Sequence, residues 1–269
     1  MNLFRGKMVA GGLGLVLAGL GSLLLLPAPA FAGEWELGGL VNFNTGTYGA
    51  GDRTNSVYMP FTVTRHYTDG EFSVTVPYLR QSAWGQVIWL GGKPVRPVRG
   101  PVSVSVPAQA GLGDILLRGG YTLMREAADG FGMEVYGQLE LPTADKEKWL
   151  GTGEMDESAG LKFTKEMLPG WLLLASGGYT LVGDPPGTDF NNQLSLGLGV
   201  KRSLSDKLSM AVQYETESSI VSGNPAPASL NALVTYLMPD SFLATGGASL
   251  GLSDGSPEIG LSLGVSQKF

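Results

Sequence analysis

The chain ends in Glu258-Ile259-Gly260-Leu261-Ser262-Leu263-Gly264-Val265-Ser266-Gln267-Lys268-Phe269. Ile259, Leu261, Leu263, Val265, Gln267 and Phe269 hold the odd positions. Glu258, Gly260, Ser262, Gly264, Ser266 and Lys268 hold the even ones. A period of two describes a strand with one apolar and one polar face. A soluble sandwich would carry charge on its solvent face. Here that face is mostly Gly and Ser, which suits a crowded, wet interior and turns the aliphatic face toward lipid.

The pattern recurs upstream. Leu194, Leu196, Leu198 and Val200 alternate with Gln193, Ser195, Gly197 and Gly199; Leu208, Met210, Val212 and Tyr214 alternate with Ser209, Ala211, Gln213 and Glu215. Met133, Val135, Leu139 and Leu141 alternate with Glu134, Tyr136, Gln138 and Glu140; Ile115, Leu117, Tyr121 and Leu123 alternate with Asp114, Arg118, Gly120 and Thr122. Segments of about ten residues with this period mark an outer-membrane barrel. The spacing predicts strands over 34–46, 55–67, 71–84, 110–125, 131–143, 156–166, 171–183, 190–203, 207–218, 228–238, 241–252 and 256–269. The expected fold is all-β: a transmembrane antiparallel up-and-down barrel of about twelve strands over residues 33–269.

The connections support this by parity. Thr68-Asp69-Gly70, Ala127-Ala128-Asp129-Gly130, Leu168-Pro169-Gly170, Leu204-Ser205-Asp206 and Pro239-Asp240 are tight, with turn-forming residues. They alternate with longer segments near 47–54, 85–109, 144–155, 184–189 and 219–227, and a short one near 253–255. With both termini periplasmic, every tight turn falls on the periplasmic side, as barrels require. Trp35, Phe72, Phe131, Trp171, Phe242 and Phe269 are then expected at the periplasmic interface and Trp84 at the outer one. Closure follows from chemistry, because an open edge in hydrocarbon leaves unsatisfied backbone groups. Twelve strands give a backbone diameter of roughly 24 Å and an open width of ~10 Å unless a loop fills it.

Composition agrees. The 269 residues include 41 Gly, no Cys and 16% charged residues, pointing to an all-β or membrane protein. The missing cysteines exclude disulfides and thiolate metal sites. Arg5 and Lys7, the apolar run Met8–Leu26, and Ala30-Phe31-Ala32 read as a signal peptide over 1–32, cleaved before Gly33. The remaining chain has 16 basic and 24 acidic residues, a net of −8. That argues against nucleic acid as a partner.

From Gly111 onward the chain resembles a family of bacterial outer-membrane transporters named for a phenol-degradation pathway, barrels distantly similar to the long-chain fatty-acid channel. The resemblance rests on Gly113-Asp114-Ile115 followed by Arg118 and Tyr121. It continues in Leu141-Pro142-Thr143 followed by Leu150-Gly151-Thr152-Gly153 and Asp156, and in Gly178-Tyr179-Thr180 before Gly183-Asp184. The departure is Ala144-Asp145, where the family tends to have Gly-Asp. The terminal Phe269 resembles the aromatic signal read by the barrel assembly machinery. The resemblance implies an outer-membrane barrel among lipid and lipopolysaccharide, with a transport role and no named solute.

The residues expected to face the lumen include Glu36, Asp114, Arg118, Glu134, Glu140, Lys162, Lys201, Glu215, Glu217 and Glu258. Asp114 and Arg118 lie about 13 Å apart along one strand face, too far to pair. Arg118 should meet Glu134 or Glu140. The set reads either as a charge ladder that hydrates and stiffens the barrel or as a filter for a permeant solute, the acidic excess favouring cations. Segment 85–109 holds Val87-Ile88-Trp89-Leu90, then Lys93, Arg96 and Arg99 among prolines, with Val102–Val106 alternating with Ser. Two arrangements fit: a rim hairpin above the membrane with its cations near lipopolysaccharide, which the sequence favours, or an inward constriction.

His66, the lone histidine, sits at the periplasmic end of a strand. A hydrolase would need it bonded to a Ser or acid at a membrane-facing site. Asp145, Glu147, Glu154, Asp156 and Glu157 form an acidic loop that reads as solvated, with loose Ca²⁺ binding the alternative. Gly111-Leu112-Gly113 is no dinucleotide fingerprint, because no helix follows. No cofactor is expected. The expected function is passive uptake of a small hydrophobic or aromatic solute; the alternatives are a structural barrel and a barrel-borne hydrolase.

Overall fold

The computed structural model describes residues 34–49, 51–82, 87–98 and 107–269. The expected signal peptide, Trp84 and Arg99 lie outside the described residues. The strands are β1 (Trp35–Gly46), β2 (Thr54–His66), β3 (Gly70–Gln81), β4 (Ile88–Leu90), β5 (Lys93–Val95), β6 (Gln109–Leu112), β7 (Ile115–Met124) and β8 (Gly132–Leu141). They continue with β9 (Asp156–Leu168), β10 (Trp171–Leu181), β11 (Gln193–Ser203), β12 (Leu208–Glu217), β13 (Ala228–Leu237), β14 (Phe242–Gly251) and β15 (Ile259–Lys268).

All but β4 and β5 form one antiparallel sheet that closes on itself. β1 pairs with β2 on one side and β15 on the other, with Glu36 opposite Lys268 and Thr45 opposite Ile259. Trp35 and Phe269 exchange backbone hydrogen bonds of 3.0 and 2.9 Å at the seam. β6 and β7 are two halves of one wall strand, so the wall has twelve strands. Each begins and ends within three residues of the span the alternation predicts.

The break between β6 and β7 is the correction to the expected continuous strand 110–125. Pairing to β3 stops at Thr75 opposite Leu116 and resumes at Tyr78 opposite Leu112. Two residues of β3 therefore face three of the partner, a β-bulge. Pro77 has no N–H to donate there, and its carbonyl accepts from Gly113 N at 2.9 Å. The extra residue shifts side-chain parity. Leu112 and Leu123 both face outward although eleven positions apart, and Asp114 is buried, its carboxylate accepting from Ala144 N at 2.8 Å.

Outward residues are aliphatic: Leu261, Leu263 and Val265 on β15 and Leu194, Leu196 and Leu198 on β11 are all exposed. An exterior of this kind is stable only against hydrocarbon. Trp35, Trp171, Phe242 and Phe269 ring the periplasmic end on this outer face. Arg65 lies over Trp35 at 4.9 Å and Arg202 over Trp171 at 5.0 Å, a cation beside each ring at the level where lipid meets water. The inner face is small and polar. Gly160 and Gly178 flank Tyr136, and a Cβ on either would lie 2.3 and 2.7 Å from its hydroxyl.

Candidate functional site

The lumen has two tiers. The extracellular half is filled by the hairpin of β4 and β5, which folds down into the barrel. Its turn is Gly91-Gly92, with φ of 57° and 82°. A two-residue hairpin turn of this hand needs positive φ at both positions, which glycine supplies without strain. A Cβ on Gly92 would also sit 2.9 Å from the Tyr58 hydroxyl.

The hairpin is buried because its sequence is apolar on both faces. Ile88, Leu90 and Val95 pack with Val182, Phe190 and Ile220 from loops that close over the barrel mouth. Trp89 stacks on Tyr58 of β2, centroids 4.5 Å apart and planes 8° from parallel. Its indole N–H donates to Gln81 Oε1 at 3.1 Å, and Gln81 Nε2 donates to the carbonyls of Val87 and Trp149. Each large side chain removed from water contributes about 1.5–3 kcal/mol, so an exposed rim hairpin of this composition is disfavoured. The rim arrangement therefore does not hold for residues 87–98.

Polar contacts seat the hairpin against the wall. Gly91 N donates to the Glu140 carboxylate of β8. Lys93 Nζ lies 2.5 Å from Glu217 Oε1 and 3.3 Å from Glu215 Oε2, both on β12. Above them Arg96 Nη1 donates to the carbonyls of Tyr48 and Gly49, and Asn224 Nδ2 donates to Val98 O at 2.9 Å. So Lys93 and Arg96 face inward rather than toward lipopolysaccharide. Beneath the turn lies a small cavity of about 10 Å³, room for about one water, lined by Lys93, Gln138, Glu140, Asp156, Gln193 and Glu217 among others.

The periplasmic tier is charged. Arg118 Nη2 approaches Glu134 Oε1 at 3.9 Å, and Lys162 Nζ binds the same oxygen at 2.7 Å. Arg118 thus meets Glu134 and not Glu140, which the hairpin occupies. Both cations lie over the Tyr136 ring, at 4.5 and 5.5 Å. Lys201 faces inward near the periplasmic end. Leu172 and Leu174 of β10 share that inner face and escaped the sequence reading, which placed leucines outside.

His66 turns into the lumen. Nε2 lies 3.0 Å from Glu36 and Nδ1 3.4 Å from Glu71, and Lys268 reaches Glu36 at 3.8 Å. Its partners are acids, but the site faces the lumen and not the membrane. Glu258 pairs with Arg53 at the exposed extracellular rim, 2.5 Å apart. The acidic loop does not converge. Asp145 caps a single 3-10 turn (Lys146–Lys148) and pairs with Lys148, which holds its carboxyl below the usual range. Asp156 points inward and accepts from Gly183 N, while Glu157 points out. Among the described residues no three acids or histidines meet in a metal-binding group.

Trp89→Ala tests the seating. Truncating a buried Trp costs about 3–5 kcal/mol, and here the loss falls on the closed arrangement. Single-channel recordings are expected to show more frequent openings than the parent protein gives.

No curated protein matches the sequence. Among solved structures, the chain is similar to the COG4313 outer membrane channel from Pseudomonas putida F1, with TM-score 0.69 and 14% identity over 91% of this chain and 100% of that one. It is also similar to the NanC porin (TM-score 0.55, 10% identity, 87% and 100% coverage) and to the KdgM porin (TM-score 0.53, 8% identity, 87% and 99% coverage). These likenesses are of fold. In sequence, residues 41–269 match the profile of the family described as "Putative MetA-pathway of phenol degradation", and with most of its length inside that profile the chain belongs to this family of outer-membrane β-barrels.

Proposed function

We propose that the protein is an outer-membrane channel for passive uptake of a small hydrophobic or aromatic solute, held closed by the β4–β5 hairpin. One observation carries this reading: the element that blocks the lumen is not part of the wall. β4 and β5 hydrogen-bond to each other as a separate two-stranded sheet. A barrel built only for rigidity would be filled by side chains of its own strands. Here the wall supplies Gly and Ser over much of its inner face, and the filling comes from a loop tethered at both ends. Removing it leaves a bore of ~10 Å, wide enough for a small solute.

The other features fit an outer-membrane setting. Phe269 stands exposed at the end of the last strand, where the barrel assembly machinery would read it. The solute class draws on the lumen's Tyr58, Leu172 and Leu174 and on the family's description, which names phenol degradation. The test is liposome swelling with arabinose, glucose and sucrose, on the parent protein and on a hairpin-deleted form. Graded swelling that stops at the disaccharide is expected for the deleted form, with a slower response for the parent. If neither form admits arabinose, the barrel is structural.

A further inference from the structure

Where the hairpin rests against the wall, its Lys93 ammonium group is held by two carboxylates. Glu215 and Glu217 are two apart on β12, so both side chains enter the lumen on one face. Each is more than nine-tenths buried, and between them they hold Lys93 Nζ. Glu140 and Asp156 are direct cross-strand partners on β8 and β9 and line the same cavity. Glu217 lines that cavity with Glu140 and Asp156, while Glu215 and Glu217 together hold the lysine that enters from above. Burying Glu215 and Glu217 without a counter-charge is costly, so this pair favours a cation beside it.

Two oxygens remain unused. Glu215 Oε1 and the Tyr58 hydroxyl are both buried and have no hydrogen-bond partner among the described residues. Tyr58 is also the platform on which Trp89 stacks, beside Leu79. The hairpin therefore lies between an aromatic partner on β2 and an acidic pair on β12. The hairpin presents one group to each, Trp89 to the first and Lys93 to the second.

We infer that the hairpin occupies, within its own chain, the binding site of an amphipathic cation: a small solute with an aromatic body and a primary ammonium group. The solute competes with Lys93 for Glu215 and Glu217 and with Trp89 for Tyr58, and its binding favours the displaced hairpin. This names the solute class of the channel proposed above and rests on that reading for the hairpin's ability to leave. A ligand whose site is already filled binds with an affinity reduced by the fraction of protein in which the site is free.

The experiment uses full-length protein in detergent and phenethylammonium as the probe, with phenylpropionate as its anionic counterpart. Lys93→Ala frees the acidic pair while keeping Trp89. Calorimetry is expected to show the amine binding the variant at least about tenfold more tightly than the parent protein. Adding Glu215→Gln and Glu217→Gln should return the affinity to the parent value or below, and phenylpropionate should bind none of the three. Equal amine affinity in variant and parent, or equal binding of the acid, overturns the proposal. Should Lys93→Ala fail to fold, the parent is titrated and its tryptophan fluorescence followed. A saturable change that disappears in Trp89→Phe is expected, and no change up to the solubility limit of the amine overturns the proposal. Binding is read without current, so its outcome is separate from whether the channel conducts.

Discussion

Replacing Ile88–Val95 by a short Gly-Ser linker is expected to turn a mostly silent barrel into one with a steady, large conductance. The parent protein blocks its extracellular half with Ile88, Trp89, Leu90 and Val95, all buried. An apolar plug excludes water as well as ions, so it closes a pore beyond its steric footprint. The wall does not depend on the plug, because β4 and β5 share no ladder with it. Planar-bilayer current at fixed voltage should rise by at least about tenfold, with the barrel still migrating as folded. Glu140, Asp156, Glu215 and Glu217, buried in the parent and uncovered by the deletion, should also make the open pore cation-selective. An unchanged current after deletion would mean that the hairpin is not the barrier.

Leu263→Arg is expected to destabilise the folded barrel by about 2–4 kcal/mol in lipid vesicles, read from urea unfolding. Leu263 is 72% exposed in the middle of β15, so its side chain lies in hydrocarbon. The adjacent Ser262 faces inward, opposite Asn42 and Gly247. Ser262→Arg should cost under about 1 kcal/mol, and its effect should appear in conductance instead. A comparable loss at both positions would show that the two faces have been assigned wrongly.

The wall was legible in the sequence wherever alternation was unbroken. β15 and β11 could be read residue by residue, because a strand between lipid and a wet lumen allows few other patterns. The reading slipped at Gly113, where a bulge reverses parity; Pro77 on the neighbouring strand was the signal, but its effect depends on register. The inward leucines of β10 were hidden in the run Leu172-Leu173-Leu174, which has no period of two to say which face is which.

The site was less legible. Ile88-Trp89-Leu90 is apolar on both faces and Gly91-Gly92 is a hairpin turn, but the cations Lys93, Arg96 and Arg99 that follow pointed to a rim. That the burial happens inside the barrel is a matter of where the loop's ends are anchored, which composition does not record. The contact of Lys93 with Glu217 joins residues 124 positions apart across the lumen. No local pattern encodes such a pair. Arg118 had two candidate partners in the sequence, and only the hairpin's claim on Glu140 decides between them.

The absence of cysteine allows a direct test of whether the hairpin is the gate. Lys93→Cys and Glu217→Cys can be joined by a short cleavable bis-thiol linker, in a chain that offers no competing thiol. The joined protein should stay silent in a bilayer; cleavage leaves the hairpin without its Lys93–Glu217 ion pair and should bring openings. Equal current before and after cleavage would contradict the account.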